Sequence, residues 1–502
     1  MKVKKRQLLS TGSEWTMDLI QAYDTEIARI ARDFKLDTYP NQIEIINAEQ
    51  MMDAYASVGM PIGYHHWSFG KHFVGVEKNY KRGTMGLAYE LVINSNPCIS
   101  YLMEENTMNM QALVIAHACY GHNSFFKNNY LFRMWTAADA IIDYLVFAKK
   151  YIHECEELYG IDAVEEILDA CHALMNYGVD RYKHPNVLSM HEEKIRQQNR
   201  EIYLQTQINE LWRTIPQNLQ NNLKNAHKPF PVEPQENILY FLEKHAPLLL
   251  PWQREIIRIV RKIAQYFYPQ KQTKMMNEGW ACFWHYTLLN ALYDEKLVTD
   301  EFMLEILQIH TNVIMQPGYE SPHYTGVNPY TLGYNMMQDI KRICESPSIE
   351  DKQWFPYLAN TNWQLGLDQA MRNFKDESFI AQYLSPQLIR KLKLFQIIDD
   401  DLQSDLMIGA IHDEHGYQII RNTLSQQYNL GNLEPDIQVY SVDINGDRTL
   451  TLNYMQHNRL ALNNHTNDIL KHLFTLWKFP IILRSIDLNG KVTAEHVCPT
   501  KS

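Results

Sequence analysis

Residues 107–126 read TMNMQALVIAHACYGHNSFF, and this stretch decides the fold. It is apolar almost all round, the mark of a helix buried inside a larger body. Yet it carries His117 and His122. An imidazole taken out of water is costly unless both ring nitrogens find partners. At about 100° per residue, the five-residue step sets the two rings roughly 140° apart on a regular α-helix. They would then not share a ligand. One extra residue in the turn, a π-bulge, would bring them to one face, with Gly121 as the weak point. Without the bulge they are two core histidines bonded to carbonyls, and the sequence leaves both alternatives standing.

Further along, NEGWACFWHY at 277–286 places Glu278, Cys282 and His285 at i, i+4 and i+7, one helix face to within about 40°. A carboxylate on so apolar a helix is unstable unless paired or metal-bound. An Arg, His or Lys elsewhere would satisfy it as well. A third piece, GYHHWSFGKHF at 63–73, holds His65, His66 and His72 among aromatics beside Lys71. No alternating pattern aligns all three; one or two could reach the pocket, and an aromatic, partly exposed loop is the alternative the sequence favours.

Around these pieces the texture is helical. Met17, Leu19, Ile20, Tyr23, Ile27, Ile30 and Phe34 recur at helical spacing. Thr136 with Asp139, and Asp162 with Glu165, resemble capping boxes that open two further helices. Residues 55–97 break into short aromatic and Gly-containing pieces, and the prolines of 214–235 mark a loop or hinge. Helices are expected over Trp252–Phe267 and Met275–Leu292, and a long aromatic loop over 316–335. After about residue 395 come β-branched runs: IQVYSVDI, TLTLNY, IILRSIDL and KVTAEHV. DINGD at 443–447 and Asn489–Gly490 punctuate them as hairpin turns, with one helix over about 464–477. The expected fold is mainly α: a helical body over residues 1–390 and a smaller C-terminal α+β domain over 391–502.

The formal charge of −11 and the scatter of Lys and Arg argue against nucleic acid as a partner. No apolar run approaches the ~18 residues of a membrane span, and the residues after the basic start lack the apolar core of a signal peptide. The seven cysteines form no CxxC pair and read as reduced thiols of a cytoplasmic protein. Gly70–Lys71 is no phosphate loop, because His72 stands where Ser or Thr should be. DINGDRTLTLNY is no calcium loop, because its twelfth residue is Tyr454.

Several long segments resemble the stage V sporulation protein R (SpoVR) family. They are HACYGHNSFFKNN at 117–129, PWQREIIRIVRKIAQYFYPQKQTKMMNEGWACFWH at 251–285 and IHDEHGYQIIR at 411–421, with GYHHWSFGKHF and NPYTLGYNMMQDI at 328–340. The likeness covers nearly the whole chain. It implies a link to spore cortex formation or to stationary-phase stress. It also implies a PrkA-type serine kinase and a von Willebrand-like protein as partners. A more distant similarity is to helical zinc peptidases of the gluzincin kind, in which two His on one helix and a Glu on a second hold the ion. By that likeness His117, His122 and Glu278 are the ligands of a zinc or similar divalent ion, water takes the fourth position, and His285 is a spare ligand or stands behind. The chain departs from the pattern at Ala118, where HExxH has its general base. Glu90, Glu104 or Glu105 would then take the proton, and His323, Tyr324 or Tyr330 would stabilise an oxyanion. The expected activity is that of a metal-dependent hydrolase or transferase acting on amide bonds. The alternative is a non-catalytic partner of the kinase system.

Overall fold

The computed structural model describes residues 8–10, 12–57, 63–81, 90–181, 230–231, 233–318, 321, 324–398, 407–456, 462 and 465–499. Contacts group the chain into two units, Met1–Glu165 with Gln265–Glu434, and Glu166–Ala264 with Pro435–Ser502. Residues 391–434 thus group with the first unit, which bears on where the expected boundary at 390 should be sought.

The first unit is a helical body built on one large apolar core. Its opening helix, Met17–Asp33, is capped by Thr16 and buries Ile20, Tyr23, Ile27 and Ile30. A three-stranded sheet follows, in the order β1 (Asn41–Ile46), β3 (Cys98–Met103), β2 (Glu90–Ile93), with β1 parallel and β2 antiparallel to β3. The sequence pattern does not reveal this sheet. Its central strand, CISYLM, is buried throughout, and so short an apolar run lacks the alternation that separates strand from helix. Trp67–Lys81 is a helix where a loop was expected. The capping box expected at Thr136 is absent. The Thr136 hydroxyl instead donates to the Phe132 carbonyl, at the end of the preceding helix, and the next helix starts at Ile141.

Three helices carry the site. The first is the rod Met108–Asn128, capped by Thr107, whose middle section Ile115–His122 is a π-helix. The backbone keeps right-handed helical angles through both junctions, so the rod is continuous. The second is Lys274–Asp294, whose first amides, Met275 and Met276, donate to the Asp376 carboxylate at 2.9 and 2.8 Å. The third is Pro329–Glu345, capped by Asn328, so the expected loop ends at that residue and Tyr330 stands on a helix.

Glycine lets these helices meet backbone to backbone. A Cβ on Gly121 would stand 2.6 Å from the Ala281 Cα. One on Gly279 would stand 2.4 Å from the Gly333 Cα, and one on Gly333 2.2 Å from the Met275 carbonyl oxygen. Both crossings flank Glu278, so its carboxylate is held between the π segment and the Tyr330 helix.

The second unit contains a four-stranded sheet: β4 (Asp436–Val442), β5 (Leu450–Met455), β6 (Ile481–Ile486) and β7 (Val492–Cys498) in that order. The outer pairs are antiparallel hairpins, turned at 443–447 and at Asn489–Gly490. The central pair is parallel and joined by the helix Thr466–Trp477, as parallel strands require a crossover. Among the described residues no helix is long and apolar enough to cross a membrane. The chain as a whole is mainly helical with a small C-terminal sheet domain.

Candidate functional site

The π turn does what the five-residue spacing required. The His117 and His122 rings lie 4.6 Å apart between centroids, at 86° to each other. Their Nε2 atoms turn toward the same carboxylates. Glu278 Oε2 lies 3.6 Å from each of them, and Glu90 Oε1 lies 3.3 Å from that of His117 and 3.9 Å from that of His122. Glu90 is the first residue of β2 and reaches the site from the sheet. Glu90, His117 and His122 each offer one donor atom within 4.8 Å of the others.

The surroundings orient the rings. His122 Nδ1 lies 2.9 Å from Asn277 Oδ1. An amide oxygen only accepts, so Nδ1 carries the proton and Nε2 presents its lone pair to the carboxylates. Burial lowers the His122 pKa to about 4, with Glu278 opposing, so this ring is neutral. Burial also works against protonation of His117, but Glu90, Cys282 and Glu278 around it hold its pKa well above the usual value. Burial pushes Glu90 up to about 7, opposed by His117 and aided by Glu278. Glu278 is raised by burial but held below its usual value by His122 and His117. Two carboxylates and two imidazoles around one point call for a positive charge, and in the protein alone a proton on His117 supplies it. Glu90 Oε2 is buried and has no hydrogen-bond partner among the described residues.

Tyr330 stands against this cluster, its phenol held neutral by burial and by Glu278 and Glu90. His285 lies on the other side of His117. Its Nδ1 is 2.9 Å from His117 Nδ1, and its Nε2 is 2.7 Å from His310 Nδ1. His117, Cys282 and His285 form a second close group of possible donors, all buried.

The other residues singled out in the sequence are not in the cluster. The Glu105 carboxylate accepts from the Ala48 amide at 3.2 Å, capping a surface helix. Glu104 is exposed, and its carbonyl accepts from the Trp15 indole. Tyr324 lines a separate pocket with Gln316 and Lys391. His65 and His72 are exposed, while His66 is buried and its Nδ1 pairs with the Ser68 hydroxyl at 2.6 Å. His323 lies outside the described residues. Sequence reasoning missed Asn277, Asp376 and His310. His310 had a visible signal, since it sits on the buried stripe Phe302, Met303, Ile306 of the helix Asp300–Val313.

No solved structure matches the chain. The chain is 61% identical over 493 residues to an Escherichia coli (strain K12) protein named "Uncharacterized protein YcgB", covering 98% of this chain and 97% of that one. The model described as SpoVR like protein matches residues 14–433, the SpoVR-like C-terminal domain matches 435–488, and the chain belongs to the SpoVR family.

Proposed function

We propose that the chain is a metal-dependent enzyme of gluzincin-like design that acts on amide bonds. The observation that carries this reading is the convergence of both imidazole Nε2 atoms and the Glu278 and Glu90 carboxylates through an expanded helical turn. A π segment sacrifices regular helix bonding, and such segments recur at functional sites. The donor set of two imidazoles and carboxylate oxygens suits zinc or a similar divalent ion.

His117, His122 and Glu278 would hold the ion. When bound, it would polarise a carbonyl and lower the pKa of a coordinated water. Ala118 leaves the usual base position empty of chemistry, and Glu90 takes that role in this reading. Its Oε2 has no hydrogen-bond partner among the described residues, and its raised pKa suits a group that accepts a proton and passes it to a leaving amine. Tyr330, neutral and beside Glu278, would donate to the oxyanion. Asn277 keeps His122 in the tautomer that presents Nε2. A peptide of the cell wall or a protein side chain in the cytoplasm is the substrate class we assign.

Metal analysis of freshly purified protein tests the reading. One ion per chain, lost in Glu278→Gln and His122→Asn with the fold retained, supports it. Absence of any ion that survives purification or rebinds would overturn it, and would leave a non-catalytic partner of a PrkA-type kinase as the function.

A further inference from the structure

We infer that His310 is a positioning residue for this centre, fixing His117 through His285. The inference rests on the metal reading above and follows from the direction of each hydrogen bond. His117 directs Nε2 at both carboxylates. A nitrogen that ligates a cation carries no proton, so the His117 proton is on Nδ1. That Nδ1 stands 2.9 Å from His285 Nδ1, which therefore accepts. A neutral His285 then carries its own proton on Nε2, which stands 2.7 Å from His310 Nδ1 and donates to it. His310 in turn holds its proton on Nε2. One tautomer choice at the centre thus fixes three rings in a row.

The row is built to hold that choice. His117, His285 and His310 are 6, 1 and 4% exposed, so water does not compete for their nitrogens. They come from three different helices, Met108–Asn128, Lys274–Asp294 and Asp300–Val313. His310 is itself pinned between aromatic rings, Tyr286 at 5.0 Å and Tyr334 at 4.7 Å between centroids. Its Nε2 has no hydrogen-bond partner among the described residues, so the row ends there. The order matters: removing His310 leaves the His285 Nε2–H buried and unsatisfied. The ring then gains by flipping or changing tautomer, and His117 loses the acceptor that orients it.

His117, Cys282 and His285 also lie close enough to hold a second ion. The 2.9 Å separation of the two Nδ1 atoms is that of an N–H···N hydrogen bond. An ion there would strip His117 of both ring protons once the first site is filled. The row of hydrogen bonds needs no such step.

The test compares His310→Leu with His310→Asn in the full chain. Asn can place its Oδ1 near the position of the histidine Nδ1 and accept the same bond. Cobalt(II) is titrated against a competing chelator, and its visible absorption bands are recorded. His310→Leu is expected to bind about 10–100-fold more weakly with altered bands, as loss of an orienting partner does elsewhere, and His310→Asn to recover most of the affinity. Wild-type protein labelled with ¹⁵N-histidine and loaded with zinc gives a check that needs no variant. It should show His117 protonated on Nδ1, and His285 and His310 on Nε2. Unchanged affinity and bands in His310→Leu, the opposite tautomer at His285, or two ions per wild-type chain would each overturn the inference while leaving the metal centre standing. A wild-type chain that binds no cobalt would remove both.

Discussion

Replacing Gly333 with Ala should open the crossing on which the site depends. The new Cβ would lie 2.2 Å from the Met275 carbonyl oxygen and 2.8 Å from the Gly279 Cα. Both are backbone atoms, so no side chain can swing aside. Ordinary contact begins near 3.5 Å, so the helices Pro329–Glu345 and Lys274–Asp294 must separate by roughly 1 Å. Overpacking of this kind costs about 1–3 kcal/mol, and a clash with backbone belongs at the upper end. At roughly 2 °C per kcal/mol for a unit of this size, the melting temperature should fall by about 6 °C. The same displacement would shift Glu278, one residue from Gly279, relative to the histidines, so metal affinity should fall with it. Gly75 is the control. It lies within the helix Trp67–Lys81, and nothing stands within 4 Å of an added Cβ. Gly75→Ala should therefore be neutral or stabilising by about 0.5–1 kcal/mol. Thermal unfolding followed by circular dichroism reads both. A Gly333→Ala protein that melts with the wild type would refute the backbone-contact argument.

Glu90→Gln should retain the ion with at most a modest loss of affinity, whereas Glu278→Gln should release it; equal retention in both variants would reverse or abolish the roles given to the two carboxylates. Burial raises the Asp351 carboxylate, but the clamp of both Arg342 terminal nitrogens at 2.6 and 2.9 Å and of Ser348 outweighs it and holds the pKa below the ordinary 3.8, at about 2. A depressed folded pKa gives stability that is complete above pH ~4 and lost as pH falls through ~2, about 2 kcal/mol in all. Urea midpoints of Asp351→Asn should lack that share of the acid dependence, and a variant that tracks the wild type from pH 5 to 2.5 would show the pair to be idle. Limited proteolysis should cut near 435, where the two family models meet and the contact grouping changes, and leave the C-terminal fragment protected together with residues 166–264. A fragment beginning near 391 would instead favour the boundary drawn from sequence texture.

How much of this was legible depended on whether a signal was local. Helical periodicity is local, and so are the β-branched runs after 395 and their Asn-, Asp- and Gly-bearing turns, so the helices and the C-terminal sheet follow from the sequence. Strand β3 is buried on both faces and six residues long, and nothing within CISYLM distinguishes it from part of a buried helix. The site divides the same way. His117, His122 and Glu278 betray themselves as polar groups in apolar helices. Glu90 does so only as one of three candidate bases, because nothing local sets the first residue of its strand apart from the solvated Glu104 and Glu105. Its partners are 27 and 32 positions further along the chain, at His117 and His122, and 188 further, at Glu278. Asp376 is hidden similarly, a capping group supplied about 100 residues from the helix it caps.

The π segment joins what was legible to what was not. A regular α-helix through 115–122 would direct His117 and His122 to different neighbours, and each would need its own buried partner. The expanded turn instead gives them one shared environment, at the expense of regular helix bonding. That expense must be met by packing, and Gly121 shows where. A Cβ there would fall 2.6 Å from the Ala281 Cα and 2.8 Å from its Cβ. The expanded turn therefore rests directly on the helix that brings Glu278. Gly121→Ala should push that helix away and remove the contact that supports the turn, so both histidines should lose register with Glu278 together. Cobalt(II) bands and melting temperature should then change in the same variant. A Gly121→Ala protein that melts lower but binds cobalt with unaltered bands would show that the helix contact is only packing and does not set the geometry of the site.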